Sequence, residues 1–130
     1  MTPKILILGA GMVGKAMAID LSKKYEVTSA DLSEDALSNL SNKHGINTIV
    51  FDVTKWVELK KLVPSYDLII CAVPGFLGYK TVETIIDAGK NLVDISFMPE
   101  DTLQLNEKAL KNNVTAIVDC GVAPGMPNLI

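Results

Sequence analysis

Apolar and polar positions in this chain alternate between short apolar runs and longer stretches with helical spacing. Lys4 to Leu8 (KILIL) is a nearly continuous apolar run, as expected of a parallel strand buried on both faces. Met12 to Lys24 follows, with Val13, Met17 and Leu21 at intervals of four, which predicts a helix lying on those positions. Glu26 to Ala30 reads as a second strand. Ser33 is then an N-cap, Asp35 lies in the first turn, Leu37 and Leu40 form an apolar side, and Gly45 is a stop. Ile46 to Phe51 is a third strand, followed by a helix capped by Thr54, running through Trp56, Leu59 and Val63 and ended by Pro64. Leu68 to Val73 (LIICAV), Asn91 to Ile95 and Val114 to Val118 supply three more strands. Helices over Gly75 to Ala88 and Pro99 to Asn112 separate them.

Strand and helix alternating from end to end predict an α/β fold. We expect a doubly wound, six-stranded parallel sheet, order 3-2-1-4-5-6, with helices on both faces. No low-complexity segment interrupts the pattern, and its units share too little sequence to form a repeat.

Composition fits this picture. Of 130 residues 48% are hydrophobic and 21% charged, a balance suited to a sheet covered on both sides. The longest apolar runs are too short to cross a bilayer, and Met1 to Lys4 leaves no room for a signal peptide before the first strand, so a cytoplasmic location is expected. The net charge is −3, and every basic residue is a lysine. Without arginine the chain lacks the planar fork that grips phosphates, carboxylates and guanine edges. The lysines are scattered, which argues against a nucleic-acid surface. Cys71 and Cys120 each adjoin an apolar run and read as small buried hydrophobes. Neither has the neighbours of a zinc site, and no metal is expected.

The first strand runs into GAGMVG, Gly9 to Gly14. A glycine triplet alone says little, but here a strand precedes it and a helix follows, the context of a dinucleotide-binding loop. Gly9 allows a tight turn, Gly11 lets a pyrophosphate approach the backbone, and Gly14 lets the helix pack on the strand. Amides around Met12 and Val13 would then face phosphates. Asp31 ends the second strand about 20 residues on, where an acid binds ribose hydroxyls and repels a 2′-phosphate. Leu32 follows it, and no arginine is available for that phosphate, so NAD is expected over NADP. Asp52 and Val53, in FDVT, lie where an adenine edge would reach. A turn acid beside a Thr54 helix cap is an equally good reading. Ala72, Val73 and Pro74, in CAVPGFLG, would form a small-residue wall along the cofactor at the switch point of such a sheet. His44 reads as a solvated helix end and Trp56 as core. Tyr79 and Lys80 are adjacent and lack the spacing of a proton-transfer pair. There is no Ser/His/Asp nucleophile set.

Three stretches together, GAGMVG, AVPGFLGYK and DISFMPE…VDCGVAPGMPN, resemble the amino-terminal part of lysine 6-dehydrogenases, within the saccharopine dehydrogenase-like group. SFMPE and GVAPG carry most of the likeness. It implies a Rossmann domain over residues 1–120, with 121–130 leading into a substrate and dimerisation domain. It implies NAD-dependent oxidation at a CH–NH or CH–NH2 group, most specifically deamination of the lysine ε-amino group. By position, Gly9, Ala10, Gly11, Met12, Val13 and Gly14 would hold the pyrophosphate, Asp31 and Leu32 the ribose, and Asp52 with Val53 the adenine side. Ala72, Val73 and Pro74 would line the route to the nicotinamide, with Ser96, Phe97 and Met98 near it. Asp94 and Asp119 are the acids near that end, and neither is assigned as a base. A lysine substrate brings an α-carboxylate whose natural holder is arginine. The chain alone is therefore expected to bind cofactor without turning over lysine, and a full-length protein is expected to form a homodimer. A second reading is a nucleotide-sensing regulatory domain of a potassium-transport system.

Overall fold

The computed structural model describes residues 2–95 and 103–118. Six strands form one parallel sheet: β1 (Lys4–Leu8), β2 (Glu26–Asp31), β3 (Asn47–Val50), β4 (Leu68–Cys71), β5 (Leu92–Asp94) and β6 (Ala116–Ile117). Their order is β3-β2-β1-β4-β5-β6, as the alternation predicts. Leu8 at the end of β1 lies level with Ala30 of β2 and Cys71 of β4.

Five helices connect the strands: α1 (Met12–Leu21), α2 (Glu34–His44), α3 (Trp56–Leu62), α4 (Gly75–Asp87) and α5 (Leu103–Lys111). Alternation along β1 divides the core. Leu6 and Leu8 join Leu59, Val63, Val82, Ile85, Leu92 and Leu105 on the face carrying α3, α4 and α5. Ile5 and Ile7 join Ala18, Leu37 and Leu40 on the face carrying α1 and α2. Strands buried on both sides are why β1 reads as an unbroken apolar run. Among the described residues no helix is long and apolar enough to cross a membrane.

Several local expectations shift. Strands β3 to β6 are shorter than their apolar runs, because the outer residues of each run lie beyond the paired ladder. The first helix ends at Leu21 rather than Lys24, and the Ser22 hydroxyl donates to the Ile19 carbonyl (2.8 Å). Its buried positions are Gly14 and Ala18, and Val13 is exposed. Close approach to the strand selects the smallest residues for the centre of the contact face, and Met17 and Leu21 of the predicted spacing pack partly buried beside them. Thr54 does not cap α3, whose N-cap is Lys55. Its amide and hydroxyl both donate to Asp52 Oδ1 (2.9 and 2.6 Å), a local turn that competes with capping. Helix α3 stops at Leu62, and Pro64 lies in the 3-10 turn that follows. Ser33 caps α2, accepting from the Ala36 amide at 3.2 Å, and Gly45 ends that helix in the left-handed region (φ 65°). Pro99 to Thr102, and the domain boundary expected at residue 120, lie outside the described residues.

Candidate functional site

Helix α1 leaves β1 toward one face of the sheet and α4 leaves β4 toward the other, so the chain parts at the C-terminal ends of these two neighbouring strands. Doubly wound sheets open a crevice at such a point. Here it encloses about 580 Å³.

The glycine loop forms its floor. The Gly9 amide donates to the Ala30 carbonyl and the Ala72 amide to the Leu8 carbonyl, both at 2.8 Å, which stitches the loop to its neighbours. Gly9 has φ +110°, and a Cβ there would collide with the Ala72 carbonyl. A Cβ on Gly14 would collide with the Gly9 carbonyl. These two glycines are required by packing. Gly11 is different, because a Cβ there would meet nothing of the protein within 4 Å, and Gly11 lines the crevice. The space in front of it is open to a ligand. Gly11 is also the N-cap of α1 and offers no side-chain acceptor to the first-turn amides, nor is there an acid in that turn. A ten-residue helix thus points an uncapped, electropositive end into the crevice.

Of the expected site residues, Gly9, Gly11, Met12, Val13, Gly14, Asp31, Leu32, Asp52, Val53, Ala72, Val73 and Pro74 all line this crevice. Ala10 does not. It is buried, and its amide donates to Asp31 Oδ2 at 2.6 Å. Asp31 Oδ1 accepts the Ser33 amide at 2.8 Å, so the carboxylate is oriented by backbone donors from both sides. Hydrogen bonds from Thr54 hold the Asp52 carboxyl below its ordinary range. Phe51, Thr54, Leu77, Ala30 and Ile95 line the crevice too, without having been singled out by their sequence. Phe51 and Thr54 flank Asp52 and Val53, so extending that motif by one residue each way would have found them.

Ser96, Phe97 and Met98, with the SFMPE and GVAPG stretches, Asp119 and Cys120, lie outside the described residues. Asp94 is buried at the end of β5, level with Cys71. Burial, and then the charge of Asp94, push the Cys71 thiol well above the usual thiol range, which suits an inert core residue.

Among the described residues the crevice wall carries two carboxylates and neither lysine nor histidine. Glycine cradle, open helix end and oriented acid fit a dinucleotide, with the pyrophosphate at Gly11 and a ribose at Asp31.

Comparison with known proteins agrees. Residues 5–117 match the family model described as the saccharopine dehydrogenase NADP binding domain. The chain is 28% identical over 130 residues to the mitochondrial alpha-aminoadipic semialdehyde synthase of Mus musculus, covering 98% of this chain and 14% of that protein. It is 29% identical over 133 residues to the NADP(+), L-glutamate-forming saccharopine dehydrogenase of Schizosaccharomyces pombe, covering 98% of this chain and 29% of that one. Among solved structures, the apo saccharopine dehydrogenase (L-Glu forming) from Saccharomyces cerevisiae superposes with a TM-score of 0.86 at 24% identity, over 98% of this chain and 29% of that chain. The apo scyllo-inositol dehydrogenase from Lactobacillus casei superposes with a TM-score of 0.72 at 18% identity, over 90% and 36%. At these identities the structures bear on the fold alone. The chain spans well under a third of the length of the curated relatives named here.

Proposed function

We propose that this chain, which belongs to the saccharopine dehydrogenase NADP-binding domain family, is the dinucleotide-binding domain of an amino-acid oxidoreductase and takes NAD in preference to NADP. The observation that carries the cofactor reading is the crevice wall. Asp31 lines the crevice at the end of β2, where this reading puts the ribose, its carboxylate is fixed by the Ala10 and Ser33 amides, and among the described residues no lysine or histidine lines the crevice. The chain offers no arginine either. The family description and the Schizosaccharomyces pombe relative's name specify NADP, and the reading of NAD for this chain rests on its own wall.

A bound nicotinamide supplies the hydride acceptor. The chain's own residues bind and orient it. The loop from Gly9 to Gly14 holds the pyrophosphate, Asp31 and Leu32 the ribose, and Asp52 with Val53 the adenine side. Ala72, Val73 and Pro74 lead toward the nicotinamide, and the family resemblance alone assigns Ser96 and Phe97 to that end. The finer reading is a lysine 6-dehydrogenase acting on the ε-amino group, cytoplasmic and dimeric through a further domain. The motifs SFMPE and GVAPG support it, and the relatives lend none to a potassium-transport sensor. The chain alone binds cofactor without turnover, since it lacks an arginine for the substrate carboxylate.

Isothermal titration of this chain with NAD and NADP tests the reading. NAD is expected to bind at least about tenfold tighter, given the like-charge cost at Asp31. NADP binding equally or more tightly overturns the preference. NADH formed from lysine and NAD by this chain alone overturns its expected inactivity.

A further inference from the structure

The dinucleotide reading gives Asp31 one task, discrimination at the ribose, but the structure gives its carboxylate a second partner. The loop is tied to β2 at two successive residues. Gly9 is tied by its backbone, its amide donating to the Ala30 carbonyl at 2.8 Å. Ala10 is tied through a side chain, its amide donating to Asp31 Oδ2 at 2.6 Å. Among the described bonds of this stretch, the next amide with an acceptor is that of Lys15, which donates to the Gly11 carbonyl. The carboxylate is therefore the last tie before the open amides of α1. It is well suited to the task, because the Ser33 amide fixes its other oxygen at 2.8 Å. Ala10 is only 4% exposed, so water cannot readily take over its amide.

We propose that Asp31 is a positioning residue for the phosphate-binding loop as well as the ribose discriminator: by accepting the Ala10 amide, it holds the Gly9–Gly14 turn in its ligand-ready shape before any nucleotide arrives. The proposal rests on the dinucleotide reading. It has a consequence for specificity. Replacing Asp31 by a small residue to admit a 2′-phosphate also unties the loop, so that exchange weakens NAD and NADP alike. The sign of the effect is diagnostic. Removing a carboxylate close to a bound diphosphate favours the anion on electrostatic grounds alone. Loss of loop positioning disfavours it.

The test uses 2′,3′-dideoxy-ADP, which keeps the diphosphate but has no ribose hydroxyl for the carboxylate to accept. Its affinity is measured by titration for the parent chain, Asp31→Ala and Asp31→Asn, and the exchange rate of the Ala10 amide is followed by NMR. The alanine variant is expected to bind dideoxy-ADP about tenfold more weakly and to expose the Ala10 amide to exchange. The asparagine variant keeps a single side-chain oxygen for two amide donors, and is expected to fall between the parent and the alanine variant on both measures while losing ribose discrimination. An alanine variant that binds dideoxy-ADP as tightly as the parent, or tighter, overturns the proposal. So does an Ala10 exchange rate that neither variant changes relative to the amides of β1, which global unfolding would speed as well; this result needs no ligand. A parent chain that binds neither NAD nor ADP overturns the dinucleotide reading instead, and the exchange arm still decides whether Asp31 ties the loop.

Discussion

Helices α1 and α2 both begin at the C-terminal rim of the sheet, on either side of Asp31, and their first turns are built in opposite ways. The α2 start is closed. Ser33 Oγ takes the Ala36 amide, Glu34 and Asp35 place negative charge in the first turn, and the Ser33 amide itself goes to Asp31. The α1 start is open. Its N-cap is a glycine without a side-chain acceptor, no acid occupies the first turn, and Met12 beside it is 90% exposed. A helix end left without a cap forgoes about 1 kcal/mol. An incoming anion can supply what the sequence withholds. The difference separates a helix start made for the fold from one made for a ligand.

The largest effects test whether the open start is imposed by packing instead. Gly14→Ala puts a methyl into the Gly9 carbonyl, and should destabilise the chain by roughly 3 kcal/mol or more in chemical denaturation. Gly11→Ser adds a cap where there is free space, and should leave stability unchanged or slightly raised, within about 0.5 kcal/mol. The same change places a side chain where the pyrophosphate approaches, so NAD affinity should fall at least about tenfold. If Gly11→Ser destabilises as Gly14→Ala does, the contrast between the glycines is lost. If it keeps full affinity, α1 is not the phosphate end.

Ser33→Ala removes the cap at the closed start. It should cost about 1 kcal/mol of stability and change NAD affinity little. The two serine experiments form a pair: adding a hydroxyl at 11 harms binding and spares the fold, and removing one at 33 harms the fold and spares binding. A Ser33→Ala variant with intact stability but weakened NAD binding would mean that the α2 start also serves the ligand.

These two helix starts were also the parts of the chain most legible in its sequence. A strand running into a glycine triplet, and Ser33 ahead of an amphipathic helix with Gly45 at its end, are local signals that tertiary structure did not override. The strand order followed from alternation and the handedness of crossovers. What was misread is also physical. Met17 and Leu21 lie on the packed side of α1 as their spacing suggests, but Val13 does not, and the closest contact falls on Gly14 and Ala18 because the helix approaches β1 so closely. Leu77 and Ile95 reach the crevice only because three-dimensional neighbours converge there. The bond from Ala10 to Asp31 joins residues 21 apart in sequence, and no local pattern announces it.

The third helix start on this rim offers the finest test. Helix α3 begins at Lys55 without a side-chain cap, and Thr54, which looks like one, is turned back to Asp52. The Thr54 hydroxyl, then its amide, then the nearby Lys55 charge lower the Asp52 carboxyl from its ordinary value of 3.8. A depressed carboxylate stabilises the folded chain above its unfolded value, and that contribution disappears as pH falls through the folded one. Asp52 is half-buried at the crevice wall and still open to solvent, so the effect is small and confined to acid, below about pH 4. Asp52→Asn keeps an oxygen for Thr54 but cannot titrate. The variant should be slightly less stable than the parent near neutrality, converge with it in acid, and show a flatter loss of stability below about pH 4 in denaturant titrations. An unchanged acid slope would mean that the Asp52 turn contributes nothing to the rim, and only α1 and α2 would remain to be contrasted.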